Sequence, residues 1–359
     1  MQVQRKTINP ATIIAIAAIA TLLISISKTD GKDRQAKSND SALPKDAHGR
    51  RAMVPEDIPQ RGLRDVLWRT MHEISGDRVA FVAAGATFYI LLATFPALAA
   101  IVSLYGLIAN PAAITDHLRE MAAVLPPGAF DILADQLEQL VLRRETTLGV
   151  AFFVGLAIAL WSTHNGTLAI FDAMNVAYEE TEKRGFVRLN LVALVFTVCA
   201  LIAAIVTIGI VALLPAVLEF VWLDPWKETM ALIVRWPLLL VLVFSGMTAI
   251  YRFGPSRQPA KVRWLTWGAA LSTAGWVLMA FGFSWYLETF ADYNAAYGAL
   301  GGLVGFLMWI WLSICILIVG AELNAQLEHQ TARDTTTGPP MPMGTRGAHM
   351  ADSIGKSVR

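Results

Sequence analysis

Ser162, Thr163, His164, Asn165 and Gly166 follow one another inside an otherwise apolar run, ALWSTHNGTLAIF. An imidazole can move a proton or hold a metal, and hydroxyl and amide groups can grip a polar headgroup. A lone histidine without a neighbouring Cys, Asp or Glu makes a poor metal site, so no metal is expected here. On a helix, Trp161 and Asn165 share one face, and Ser162 and Gly166 the next. Two readings stay open. These groups bond helix to helix, with Gly166 allowing close approach, or they line a substrate path. A second polar group holds Tyr286, Glu288, Asp292, Tyr293, Asn294 and Tyr297, just before Gly298, Gly301, Gly302 and Gly305. Its acidic and aromatic character suits a membrane interface or a mouth that receives a headgroup. Arg235, two residues before Pro237, is the one cation inside the apolar run around it. Near a membrane surface its long side chain would reach water.

Enzyme chemistry finds little support. The six histidines, at 48, 72, 117, 164, 329 and 349, are scattered. There is no H-E-x-x-H, no Walker loop, no G-x-S-x-G and no basic surface interleaved with aromatics. Neither a catalytic group nor a cofactor nor nucleic-acid binding is expected. Cys199 and Cys315 lie inside apolar runs with no C-x-x-C pair, which reads as a packing role.

The elements that must hold these residues are membrane spans. The chain is 55% hydrophobic and 16% charged, against roughly 25% charged in soluble domains. A bilayer core needs roughly 20 apolar residues in a helix. Six stretches qualify, near 83–108, 148–170, 189–214, 229–250, 264–288 and 298–323. They do not alternate as barrel strands would, so the fold class is all-α: a polytopic transmembrane helical bundle of six core spans. A seventh run, 8–27, reads as an extra N-terminal span or anchor. Lys and Arg number 22 in the segments 28–82, 171–188, 251–263 and the C-terminal tail, against 4 in the alternate loops. The first set is therefore expected in the cytoplasm, which argues against a cleaved signal after Ser27. Residues 28–58 read as a flexible basic linker, 59–330 as the six-helix domain and 331–359 as a disordered tail. Leu63, Val66, Leu67, Thr70, Met71 and Ile74 recur at helical spacing among Arg61, Arg64 and Arg69, which predicts an amphipathic helix on the inner membrane surface. The loop 109–147 predicts two more amphipathic helices, lying at the outer interface or capping the bundle and broken at Pro126-Pro127-Gly128.

One internal likeness bears on mechanism. Phe171 to Tyr178 and Phe290 to Tyr297 share F-x3-N-x-A-Y, and three helices separate them. That is what a 3+3 inverted repeat requires, with Asn175 and Asn294 as paired hydrogen bonders at the two gate ends. Pro96 and Pro237 lie inside spans, where a proline can kink a helix.

Several long segments resemble one family. They are AAGATFYILLATFPALAAIVSLYGL (83–107), ALWSTHNGTLAIFDAMNVAYEETEKRGFVRL (159–189), YRFGPSR (251–257), FSWYLETFADYNAAYGALGG (283–302) and GAELNAQLE (320–328). Over roughly 60–330 the chain is similar to the YihY/BrkB family of bacterial inner-membrane proteins; the run 8–27 lies outside that pattern. The resemblance implies a multi-pass inner-membrane protein with a cytoplasmic C-terminus. Members carry an old ribonuclease label, a link to serum resistance, and a suggested part in moving lipid or lipopolysaccharide precursors. The expected function is a transporter or flippase for a lipid-like or amphipathic substrate, with Ser162, Thr163, His164, Asn165, Asn175, Arg235, Glu288, Asp292, Asn294 and Tyr297 as path candidates. The alternative is a non-transporting scaffold or regulator of envelope integrity. Expected partners are membrane lipids, a second copy of the chain, or envelope-assembly proteins.

Overall fold

The computed structural model describes residues 46–106, 150–213, 225–289 and 301–357. Lipid offers the backbone no hydrogen-bond partners, so apolar runs of this length must satisfy themselves as helices. They do so in six long elements: α2 (Val79–Gly106), α3 (Val150–Ala177), α4 (Phe186–Ile208), α5 (Pro225–Phe253), α6 (Thr266–Thr289) and α7 (Gly301–Glu328). Ahead of them lies α1 (Gln60–Gly76), and a single turn, α8 (His349–Asp352), comes after. Among the described residues there is no strand, only an isolated bridge between Ala260 and Thr336.

Five stretches are long and apolar enough to cross a membrane: Val79–Ala97, Phe186–Val211, Ile233–Phe253, Thr266–Leu287 and Gly301–Glu328. With α3, whose 28 residues reach roughly 42 Å, they match the six expected spans. The chain is an integral, multi-pass membrane protein. Pro96 and Pro237 are tolerated inside α2 and α5, and α4 ends in a π-helical turn at Gly209–Leu213. The seventh run, the loop 109–147 and the second F-x3-N-x-A-Y copy lie outside the described residues.

The helices pack in a row: α5 on α6, α6 on α7, α7 on α2, α2 on α3, and α3 on α4. α7 is central and also touches α1 and α3. Glycines set the two tightest seams. A Cβ on Gly166 would stand 3.2 Å from the Ala93 Cβ, so α3 and α2 close there. A Cβ on Gly268 would strike the Gly320 carbonyl, and one on Gly320 would strike the Ser272 hydroxyl, so α6 and α7 touch backbone to backbone. The predicted close packer Gly305, by contrast, finds among the described residues only Leu287, at 4.0 Å.

One end of the row carries the ordered polar structure, and we call it the charged end. Residues 331–357, expected to be disordered, are ordered here, and so is the linker from residue 46 onward. Ala332 N–H donates to the Arg50 carbonyl (2.8 Å), Thr337 N–H to that of Pro259 (2.9 Å) and Lys261 N–H to that of Thr335 (2.8 Å). The Arg346 guanidinium donates to the carbonyls of Ala332, Arg333, Met341 and Ala351. Asp352 accepts from the backbone of Gly344, Arg346, Gly347 and Ala348. Order here comes from long-range pairing of backbone groups, which composition does not display. The contact also fixes parity. A segment preceding α2 and one following α7 meet at one end, as an even number of crossings demands.

Candidate functional site: the seal at the charged end

The two ends of the row, α4 and α5, come together at the charged end. Phe196 of α4 meets Phe253 of α5 edge-on, ring centroids 6.3 Å apart, and Phe171 of α3 meets Phe196 at 5.3 Å. Arg184, in the α3–α4 connection, lies over the Phe171 ring, 5.1 Å from its centroid. It donates to the carbonyls of Phe253 (3.1 Å) and Gly254 (2.8 Å) just beyond α5. Along the rest of their described lengths α4 and α5 make no extensive contact.

Asn175 completes the closure. From the last turn of α3 its Oδ1 accepts from the Ser256 N–H (2.7 Å), while its Nδ2 donates to Glu182 Oε2 (3.1 Å). Glu182 in turn pairs with Arg184 at 2.7 Å. Burial opposes the Glu182 charge, but hydrogen bonds from Arg184 and Asn175 hold its pKa down to about 2. The Lys183 N–H donates to the Ser256 hydroxyl (2.8 Å). One amide, one carboxylate and one guanidinium thus tie the α3–α4 connection to the segment after α5.

Behind this seal is a fully enclosed ion pair. Arg257 and Glu328 meet at 2.6 Å with both side chains 0% exposed. Arg257 lies 4.1 Å from the Tyr178 ring centroid, and Thr335 donates to Glu328 Oε2 (2.8 Å). Burial works against the Arg257 charge, yet Glu328 beside it outweighs that and the pKa is raised.

The predicted site residues are not gathered on one surface. His164 is buried; its Nδ1 meets the Trp161 carbonyl and its Nε2 lies 2.9 Å from Asn190 Oδ1 on α4. It bonds helix to helix. Thr163 turns back on the Ala159 carbonyl (2.8 Å), Ser162 is half-buried, and Asn165 is exposed beside Trp161. Arg235 is half-buried against the ring of Trp236, 5.3 Å from its centroid. The side chain of Glu288, at the end of α6, lies outside the described residues, as do Asp292, Asn294 and Tyr297. Among the described candidates, Asn175 is the one that ties the α3–α4 connection to the segment after α5. Sequence patterns do not single out Glu182, Arg184, Asn190 or Ser256. The signal that could have found them is their position, in charged or polar connections immediately flanking apolar spans.

α1 carries an exposed apolar hollow. Val66 and Thr70 are buried, whereas Leu67, Trp68 and Met71 are exposed along a hollow of about 440 Å³ that also takes in Gln60, Leu63 and Arg64. Arg69 does not join the basic face expected of it. It is buried, donating to Gln326, Gln330 and the Lys356 carbonyl.

The family model described as Virulence factor BrkB matches residues 70–343. The chain belongs to the BrkB family. That stretch includes α2 through α7, the seal and the buried ion pair. The chain is 31% identical to the ribonuclease-like protein YfkH of Bacillus subtilis over 256 residues, 68% of this chain and 88% of the relative. It is 25% identical to a UPF0761 membrane protein of Haemophilus influenzae over 267 residues, 73% of this chain and 94% of that one. A UPF0761 membrane protein of Idiomarina loihiensis is 28% identical over 220 residues, 59% of this chain and 74% of its own. No solved structure matches this BrkB chain.

Proposed function

We propose that this BrkB protein carries a lipid-like or amphipathic substrate across the bacterial inner membrane, along a groove between α4 and α5. The observation that carries the reading is the uneven meeting of those two helices. Rings and hydrogen bonds join them at the charged end, and their remaining described length is left unpacked. The charge count assigns the charged end to the cytoplasm. The groove would then stand closed inside, and Asn175 and Arg184 would form its inner gate. A groove open sideways to the bilayer suits an acyl chain in lipid with a headgroup in the protein. Without an ATP motif, movement would be passive or ion-coupled, and the reading carries no catalytic step.

The test is a cysteine at Ser245, an exposed α5 position about 12 Å from the inner end of that helix. Cys199 and Cys315 are replaced, and a membrane-impermeant thiol reagent is applied to either face. Labelling from outside alone is expected, with labelling from inside gained on Asn175→Ala. In proteoliposomes the same variant should change the rate at which a headgroup-labelled phospholipid crosses. Labelling from neither side in folded protein would reject the groove. The ordered face built from 46–58, 254–264 and 329–357 favours a second reading, a docking platform for an envelope partner. In that case lipid movement would be absent and loss of 331–357 would abolish function.

A further inference from the structure

Near the inner end of α7, Glu322 is 0% exposed, and neither of its carboxylate oxygens has a hydrogen-bond partner of normal geometry. The charged groups that act on it most strongly are all acids. The carboxyl of Asp77, in the corner between α1 and α2, lies within looser hydrogen-bonding reach, followed by Glu73 of α1 and Glu179 after α3. The cations around this group are committed elsewhere. Arg69 is held by Gln326, Gln330 and the Lys356 carbonyl, Arg257 by Glu328, and His349 stands 3.4 Å from Glu179. A fully enclosed carboxylate facing three other carboxyls is disfavoured both by lost hydration and by repulsion. A carboxyl without a donor can be satisfied by bringing one of its own, namely a proton.

We propose that Glu322 and Asp77 form a proton-binding site, one proton held between two carboxyls, that latches the α1–α2 corner onto α7. The corner is built to move. Asp77 caps α1, and the next residue, Arg78, adopts φ +50° without being glycine. Such a backbone persists only when its surroundings hold it. Half-buried Asp77 gives the site its exit to water, whereas Glu322 has none of its own. Burial raises the Asp77 pKa, the contact with Glu322 lowers it, and Glu73 raises it again, with a net upward shift. The two acids titrate as a coupled pair. With the proton bound, the corner is latched. As pH rises the O–H bond breaks, the proton leaves to water through Asp77, and the carboxylates repel across the α1/α7 seam. The latch therefore holds at lower pH and releases at higher pH. The site does not depend on the α4–α5 groove, and it would bind its proton even in a protein that carries nothing.

Infrared difference spectroscopy on the full chain in lipid nanodiscs tests this directly. A protonated-carboxyl C=O band is expected at neutral pH, vanishing as pH rises and missing from Glu322→Gln. In Asp77→Asn the neighbouring charge is gone and an amide can donate, so the band should titrate at least one pH unit lower, about a tenfold weaker hold on the proton. Because Asp77→Asn retains Glu322, it keeps the proposal testable should Glu322→Gln fail to fold. No such band in folded protein, a band untouched by Glu322→Gln, or a band displaced by sodium at fixed pH would overturn it. The last result would mean a metal-cation site in place of a proton site.

Discussion

At the scale of single residues, the Arg257–Glu328 pair is the most consequential contact outside the seal. Both partners are enclosed, so removing one strands the other's charge in a dry site. Arg257→Met or Glu328→Gln should therefore lower stability by about 3–5 kcal/mol, measured as the midpoint of thermal unfolding in detergent. Replacing both together should recover much of that loss, because a thioether beside an amide leaves no charge stranded. His329 gives the residue-scale pH dependence. Burial, then Arg69, His349 and Arg50, pull its pKa from 6.5 down to about 4. The unfolded chain takes up a proton below 6.5 that the fold resists, so stability is full above that value and declines as pH falls toward 4. His329→Gln should flatten the melting temperature across that window, and an unchanged slope would show that another group sets it. Neither residue of the ion pair stands out in the sequence. Arg257 follows one span and Glu328 ends another, and only the fold reveals that they meet. His164 shows the opposite limit. It is visible at once as a histidine in an apolar run, but its orientation toward Asn190 decides its role, and helical spacing does not tell which neighbouring helix lies there.

At the scale of elements, the spans are legible because each is a long apolar run that only a helix can carry through lipid. Their boundaries fall within several residues of those expected. α1 is legible too, but only as amphipathic. The structure gives it a buried side with Val66, Arg69 and Thr70 and an exposed side on which Leu67, Trp68 and Met71 lie among Arg61 and Arg64. Such a mixed exposed side would suit a membrane surface, with acyl chains meeting the apolar groups and anionic headgroups the basic ones. A nitroxide at Met71→Cys should accordingly be relaxed more by lipid-soluble oxygen than by a water-soluble nickel reagent, and the reverse preference would place this face in water. The C-terminal segment departs from its expected disorder for a physical reason. Its order rests on Arg346 and Asp352 chelating carbonyl and amide groups, a polar kind of packing with no apolar period to announce it.

At the scale of the whole molecule, the row runs α5, α6, α7, α2, α3, α4, so the last three spans precede the first three in space. The seam between α7 and α2 is packed and the opposite seam, between α4 and α5, is not. Under the proposed function, substrate passage along that seam would require breaking the Asn175 and Arg184 contacts. Arg184→Ala should therefore speed lipid crossing in proteoliposomes if the gate limits the rate. A rate equal to that of the parent protein would mean that this contact is structural. Six spans and their helical character can be read from sequence; which seam stays open cannot, because it depends on which apolar surfaces find partners.

The joining of residues 46–58 to residues 329–357 also orders events during synthesis. The His48 carbonyl awaits the Gln330 side chain and the Arg50 guanidinium awaits the Gly355 carbonyl, partners separated by 282 and 305 positions. Until the ribosome has made α7 and released the residues beyond it, the early segment has only its earlier partners, such as Asp65 for His48 and Trp267 for Glu56. A chain that stalls, or inserts one helix the wrong way round, leaves its two ends on their own or on opposite faces of the membrane, with 46–58 open to proteases. Completion of the cap thus marks a chain that has been made past α7 and threaded correctly.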